Sequence, residues 1–199
     1  MKKLALTDFA KYRYPSALEL SPDGRYLTFA LKEVDREGDG YRWNLWLYDL
    51  ESRESRQITR GDDQRKAVWE DNTHILYKTT ELDAALRARG FEEEWTVYHR
   101  LNVCTGEEGE AFRLPMSVSG LWKMDEGRYV FTGETHLDRP NLLELTGEAL
   151  EKELVRRQQT KGYKVLTELP LCENGVGMFN QTRNTLFLYL EDAGEYRRI

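Results

Sequence analysis

SPDGRYLTF (residues 21–29), WEDNTHILY (69–77) and KMDEGRYVF (123–131) are three copies of one pattern, a polar turn running into a strand of apolar and aromatic residues. In the first copy the turn residues each have a physical role: Pro22 fixes φ, Asp23 can bond its own backbone, and Gly24 accepts a positive φ. A second strand follows each copy: NLWLYDL (44–50), EWTVYHR (94–100) and NTLFLYL (184–190). A third follows in turn: RQIT (56–59), AFRL (111–114) and YRRI (196–199). Units of this size with three or four strands apiece predict the blades of a β-propeller. The fold class expected is all-β, a partial propeller of about three blades of antiparallel strands with short helical insertions.

The spacing supports this register. Tyr48, Tyr98 and Tyr189 hold the same place in the second strand, at intervals of 50 and 91 residues. The longer interval is one blade of about 40–50 residues plus an insertion. Ile58 and Ile199 each lie ten residues after their tyrosine, so the chain stops in phase on an apolar strand residue. Propellers normally close with about 4–8 blades, and a piece of a larger protein is therefore expected.

The boundaries expected are a lead-in over 1–14, blade one over 15–60, blade two over 61–116 and blade three over 117–199. The lead-in reads as a short helix with Thr7 as cap. Blade two carries a helical insert near 80–90, read as capped by Thr80 and ended by Gly90. Blade three carries a larger insertion near 141–162, a helix capped by Thr146 with Leu150, Leu154 and Val155 on its apolar face. Residues 163–171 read as a further strand, followed by a glycine-rich stretch. Leu45 and Leu47 point one way and Trp46 and Tyr48 the other, which predicts a strand buried on both faces.

Composition narrows the function classes. The net charge of −6, with both signs well mixed, disfavours a nucleic-acid or anionic-membrane surface. Cys104 and Cys172 have no metal-ligand spacing, and they predict free buried thiols in a reducing compartment. The apolar stretch of the N-terminus breaks at Thr7 and Asp8, too early for a signal peptide. No segment has the apolar length of a membrane span. The expectation is cytoplasmic, with no membrane and no nucleic-acid partner.

SPDGRYLTFA followed by NLWLYDLESRESRQITRG (44–61) resembles the propeller repeats of the prolyl oligopeptidase family of serine peptidases. The resemblance continues through EEEWTVYHRL (92–101), EAFRLP (110–115), THLDRPNL (135–142) and GYKVLTELPLCENGVGMFNQTRNTLFLY (162–189). Together these stretches are similar to the N-terminal region of bacterial acylaminoacyl-peptidase-like members. The resemblance implies a propeller that covers a C-terminal α/β-hydrolase domain and gates its peptide substrate. In that domain the nucleophile would sit in a G-x-S-x-G elbow. This chain contains no G-x-S-x-G, and Ser117-Val118-Ser119-Gly120 lacks the first glycine. No catalytic residue is carried over, and no substrate-binding residue is assigned.

The remaining candidates each have a plain structural reading. His74 and His99 fall inside predicted strands and read as hydrogen-bonded structural histidines. His136 ends a strand and faces a loop or channel. Glu92, Glu93 and Glu94 could hold an ammonium group, but runs of like charge are usually solvated loops. Arg87 and Arg89 could meet a carboxylate, or simply decorate a surface helix. Trp46, Trp69, Trp95 and Trp122 recur in phase with the strands, so packing explains them first. No P-loop, dinucleotide fingerprint or metal motif is present, and the expectation is no cofactor and no metal. Two functions stand, the non-catalytic propeller of a serine peptidase or a propeller module that binds a protein partner; a polysaccharide or lyase propeller is disfavoured because the aromatics are in phase with the strands. Independently of either, open blades predict self-association of the isolated chain through unpaired edges and apolar faces.

Overall fold

A computed structural model describes residues 5, 8–35, 37–162, 171–173, 177–179 and 181–199, with side chains described outside 171–180. It contains three four-stranded antiparallel sheets, each a meander with its strands in sequence order. Sheet one is β1 (Tyr14–Leu20), β2 (Tyr26–Asp35), β3 (Gly40–Asp49) and β4 (Glu54–Gln57). Sheet two is β5 (Ala67–Trp69), β6 (His74–Leu82), β7 (Glu94–Asn102) and β8 (Glu108–Leu114), with the short helix α1 (Ala84–Ala88) between β6 and β7. Sheet three is β9 (Val118–Asp125), β10 (Arg128–His136), β13 (Thr182–Leu190) and β14 (Glu195–Arg198). Between β10 and β13 lie helix α2 (Gly147–Thr160) and a small hairpin, β11 (Leu171–Glu173) with β12 (Gly177–Phe179). None of the sheets closes on itself, and the expected partial propeller is what the chain forms.

The repeated turn is built as its residues require. Gly24 N–H donates to the Ser21 carbonyl at 2.9 Å with Gly24 at φ +75°, and Asp23 accepts from the Arg25 N–H at 3.1 Å. Ser21 Oγ donates to Asp23 and accepts from the Tyr26 N–H at 2.9 Å, which ties the turn to the start of β2. In the second copy Asp71 takes over, accepting from the Thr73 and His74 N–H groups at 2.7 Å each.

The described chain divides into two compact units, 1–79 with 97–113, and 80–96 with 114–199. The first unit is organised around a core in which Ala30, Leu45 and Leu47 of sheet one meet Ala67, Trp69, Ile75, Tyr77, Leu101 and Val103. A large apolar side chain fully withdrawn from water in this way stabilises by about 1.5–3 kcal/mol. Trp69 stacks on Tyr26 at 6.5 Å between centroids, and its indole N–H donates to the Glu19 carbonyl at 3.1 Å.

Strand β3 is not buried on both faces as its sequence predicts. Leu45 and Leu47 are buried, but Trp46 and Tyr48 are only half-buried, on a face they share with Phe29 and the exposed Leu20. Two-sided apolar character thus marks a face only partly withdrawn from water.

The second unit contains sheet three. Its buried face carries Leu121, Tyr129, Phe131, Phe187 and Tyr189. Phe131 and Phe187 stack at 5.1 Å, and the ring of Tyr196 meets both edge-on. A second cluster forms from the two insertions: Leu86 of α1, Leu142 of the 3-10 turn Leu142–Glu144 and Leu154 of α2, with Phe91, Leu143, Leu145 and Leu150 against them.

Several local expectations are corrected. The lead-in is one 3-10 turn at Asp8–Lys11, with Asp8 accepting from the Ala5 N–H at 2.8 Å, while Thr7 lies outside the described residues. Helix α1 is capped by Asp83, not Thr80, because β6 continues to Leu82; Asp83 Oδ1 accepts from the Leu86 N–H at 2.9 Å. Gly90 does end it, at φ +84°. Thr146 stands at the N-cap of α2 with extended backbone but makes no side-chain cap bond, and the chain enters the helix through Gly147 at φ +56°. On α2, Val155 is exposed, and Glu153 is buried beside Leu154 instead. Cys104 is exposed rather than buried, with its Sγ 3.7 Å from the Tyr26 hydroxyl. The strand expected over 163–171 lies almost wholly outside the described residues.

Candidate functional site

Within the second unit, a cavity of about 560 Å³ opens where the two insertions meet the loop end of sheet three. Its apolar lining includes Pro115, Met116, Leu137 and Phe187, and its polar lining includes Glu92, Glu94, Glu134, His136 and Arg198. Sequence accounts for much of this placement. Gly133 in β10 leaves room for Met116, whose sulfur would lie only 2.4 Å from a Cβ at that position. Met116 is held in turn through its carbonyl, which accepts from the buried Thr96 hydroxyl at 2.7 Å; the same hydroxyl accepts from the Val118 N–H at 3.2 Å.

One wall is fixed by Arg157. Its guanidinium donates to Glu93 at 2.6 Å, to the Pro140 carbonyl at 2.6 Å and to Glu153 at 3.0 Å, and its side chain is only 11% exposed. Glu153 also takes two bonds from Arg156, at 2.6 and 2.7 Å. These bonds, with Arg157 adding to them, outweigh its burial and hold the Glu153 carboxyl at about 2. Arg89 of the first insertion grips Glu151 of α2 with two bonds, at 2.6 and 2.7 Å. Asn141 donates to the Pro115 carbonyl, and Tyr196 donates to Glu144, so the second insertion is also tied to the sheet.

The acidic run 92–94 is therefore divided. Glu93 is in an ion pair, whereas Glu92 and Glu94 stay exposed on the cavity lining. Neither the ammonium clamp nor the fully solvated loop describes all three. Arg89 is committed to Glu151, and Trp95 donates its indole N–H to Asp83 at 3.1 Å.

His74 and His99 have the structural roles their sequence context suggests. His74 Nδ1 lies 2.9 Å from Asp71 and its Nε2 lies 3.1 Å from the Asn102 amide; His99 Nε2 lies 2.9 Å from the Thr79 hydroxyl, with its ring stacked on Tyr77. His136 is at the cavity, its Nδ1 3.2 Å from the Thr182 hydroxyl and its Nε2 2.9 Å from the Arg139 guanidinium. Burial, reinforced by Arg139, pushes its ring below the ordinary histidine value. The tryptophans divide as well. Trp69 is core, but Trp122 is 48% exposed, its ring lying over Gly120, where a Cβ would come within 2.4 Å of it. Among the described residues no group of His, Cys, Asp and Glu is arranged to hold a metal ion, and no helix is long and apolar enough to cross a membrane.

The class defined by these sheets is a partial β-propeller. Solved structures that share the fold include peptidases. An acylaminoacyl peptidase from Pyrococcus horikoshii matches 96% of this chain with 26% of its own, at a TM-score of 0.62 and 12% identity. The AtxE2 isopeptidase matches 94% of this chain with 30% of its own, at 0.52 and 13% identity. The tricorn protease matches 92% with 18% of its own, at 0.53 and 8% identity. No family model and no curated protein matches the chain. At these identities the likeness is one of fold, and it agrees with the resemblance that the repeats carry. The chain spans about a quarter of the length of the acylaminoacyl peptidase it matches.

Proposed function

We propose that this chain is the N-terminal propeller portion of a serine peptidase of the prolyl oligopeptidase type, acting on short peptides in the cytoplasm. Hydrolysis belongs to an α/β-hydrolase domain with its own nucleophile, base and oxyanion donors. The propeller shapes and gates the cavity from which peptide reaches that domain, and it does no chemistry itself. The observation that carries this reading is the match of 96% of the chain to about a quarter of a solved acylaminoacyl peptidase. The histidine environments are in keeping with it, since the partners of all three are structural groups.

The test has two parts. The reading frame beyond Ile199 is sequenced, and a G-x-S-x-G elbow followed by Asp and His is expected. The 199-residue chain is then assayed on N-acetyl-peptide p-nitroanilides and is expected to be inert, with activity appearing only when the hydrolase domain is present. A frame that stops without a hydrolase sequence overturns the peptidase reading and leaves a protein-binding propeller module. Hydrolysis by the chain alone overturns its non-catalytic role.

A further inference from the structure

His136 occupies a particular place in the chain. It is the last residue of β10, where the backbone leaves sheet three for the insertion, and it pairs in register with Thr182, where the backbone returns as β13. The Leu137 N–H donates to the Gln181 carbonyl at 2.8 Å, closing the neck of the insertion just beyond. Both ring nitrogens of His136 act at this neck. Arg139 belongs to the outgoing chain and can only donate, so Nε2, 2.9 Å from its guanidinium, is the acceptor. The proton of the neutral ring is therefore on Nδ1, which donates to the Thr182 hydroxyl at 3.2 Å. One imidazole thus joins the strand that returns to the chain that departs.

We propose that His136 is a protonation-controlled latch at the neck of the insertion between β10 and β13, closed when the ring is neutral and released when it is charged. A proton on Nε2 converts the acceptor of the Arg139 bond into a donor and places two cations in contact. The carboxylate that gains is Glu134, on the same strand, whose oxygen is 3.9 Å from Nε2. The other charged groups facing the ring are Asp138 of the insertion and Glu93 of the loop before β7, and both favour the charged form. Burial and Arg139 act against it and prevail, so the ring titrates below 6.5. Because the folded value is depressed, the latch adds stability fully present above the unfolded value and lost as pH falls through the folded one. Release frees Arg139, which lines the cavity, and so changes its mouth.

The test is an NMR titration of the full chain, with the His136 ring assigned by its disappearance in His136→Gln. The Nδ1–H tautomer is expected near neutral pH, with a midpoint below 6.5. Arg139→Ala is expected to raise that midpoint and Glu134→Gln to lower it. Once intrinsic pH dependence is divided out, amide exchange over residues 137–139 is expected to rise several-fold as the ring titrates. An Nε2–H tautomer, a midpoint that Arg139→Ala leaves in place, or exchange indifferent to the titration each overturns the latch.

Discussion

Thr96 is almost fully withdrawn from water at the start of β7, and its hydroxyl both donates to the Met116 carbonyl and accepts from the Val118 N–H. Valine has the same shape without the hydroxyl, so Thr96→Val removes both of these bonds from the interior. The expected cost is about 2 kcal/mol, seen as a lower urea midpoint with an unchanged slope. A change of opposite sign is available at Arg53, an exposed residue held at φ +61° in the turn between β3 and β4. Its N–H donates to the Asp49 carbonyl at 2.8 Å, and that bond survives in glycine. Relief of the left-handed strain exceeds the added flexibility of the unfolded chain, and Arg53→Gly is expected to stabilise by about 0.5–1 kcal/mol. Equal or lower stability on urea denaturation would count against that account. The two residues differ in what sequence discloses. Ser21, Pro22, Asp23 and Gly24 announce their turn because every bond in it is local. Nothing in EWTVYHR announces that Thr96 will pair with Met116, because that bond depends on where β9 begins.

Helix α2 makes the same point for a whole element. Its existence is legible from its leucine spacing and from charges that suit its ends. Its buried stripe is not. Leu150, Leu154 and Val155 are the apolar residues that spacing offers, yet the structure exposes Val155 and withdraws Glu153 and most of Arg157. These two lie four apart on one face, and each neutralises the other. Arg157 also reaches Glu93, far away in sequence, so the burial of a charged pair depends on contacts that helix periodicity cannot express. The consequence is that the insertions depend on Arg157 more than on any single leucine. Arg157→Ala takes the shared cation from Glu93 and from Glu153, which keeps Arg156, and the loss of these charge-assisted bonds costs about 1.5–3 kcal/mol. The loss is expected to be local. Amides of α1 and α2 should exchange much faster while those of β2 and β3 keep their protection; a uniform loss would refute the idea that the insertions open as their own unit. Acid should act on the same element. Glu153 is depressed to about 2, so its contribution is complete above its ordinary 4.5 and lost as pH falls toward 2.

At the scale of the whole molecule, the alternation of each sheet predicts what the isolated chain does in solution. In sheet three, Leu121, Tyr129, Phe131, Phe187 and Tyr189 form the buried face, while Trp122, Val130, Leu186 and Leu188 form the other. On that second face Trp122 is 48% and Leu186 41% exposed. Sheet one repeats the arrangement with Leu20, Leu27, Phe29, Trp46 and Tyr48, and there the Trp46 indole N–H is out of reach of water and has no acceptor. A solvent-facing sheet normally alternates apolar with polar residues. These two faces carry apolar rows on both sides, which is the composition of a sheet with a neighbour on each side. Within a complete peptidase of the proposed type, adjoining blades would cover both. Without them, the faces are expected to find each other on different copies, so that light scattering at high concentration gives a mass well above the 23.4 kDa of one chain. Leu20→Glu together with Leu186→Lys should return the mass to that of one chain without loss of far-ultraviolet β signal, since both positions are exposed. A wild-type chain that stays at 23.4 kDa under those conditions would mean that the apolar rows are tolerated in water, and that two-sided strands are no guide to missing neighbours here.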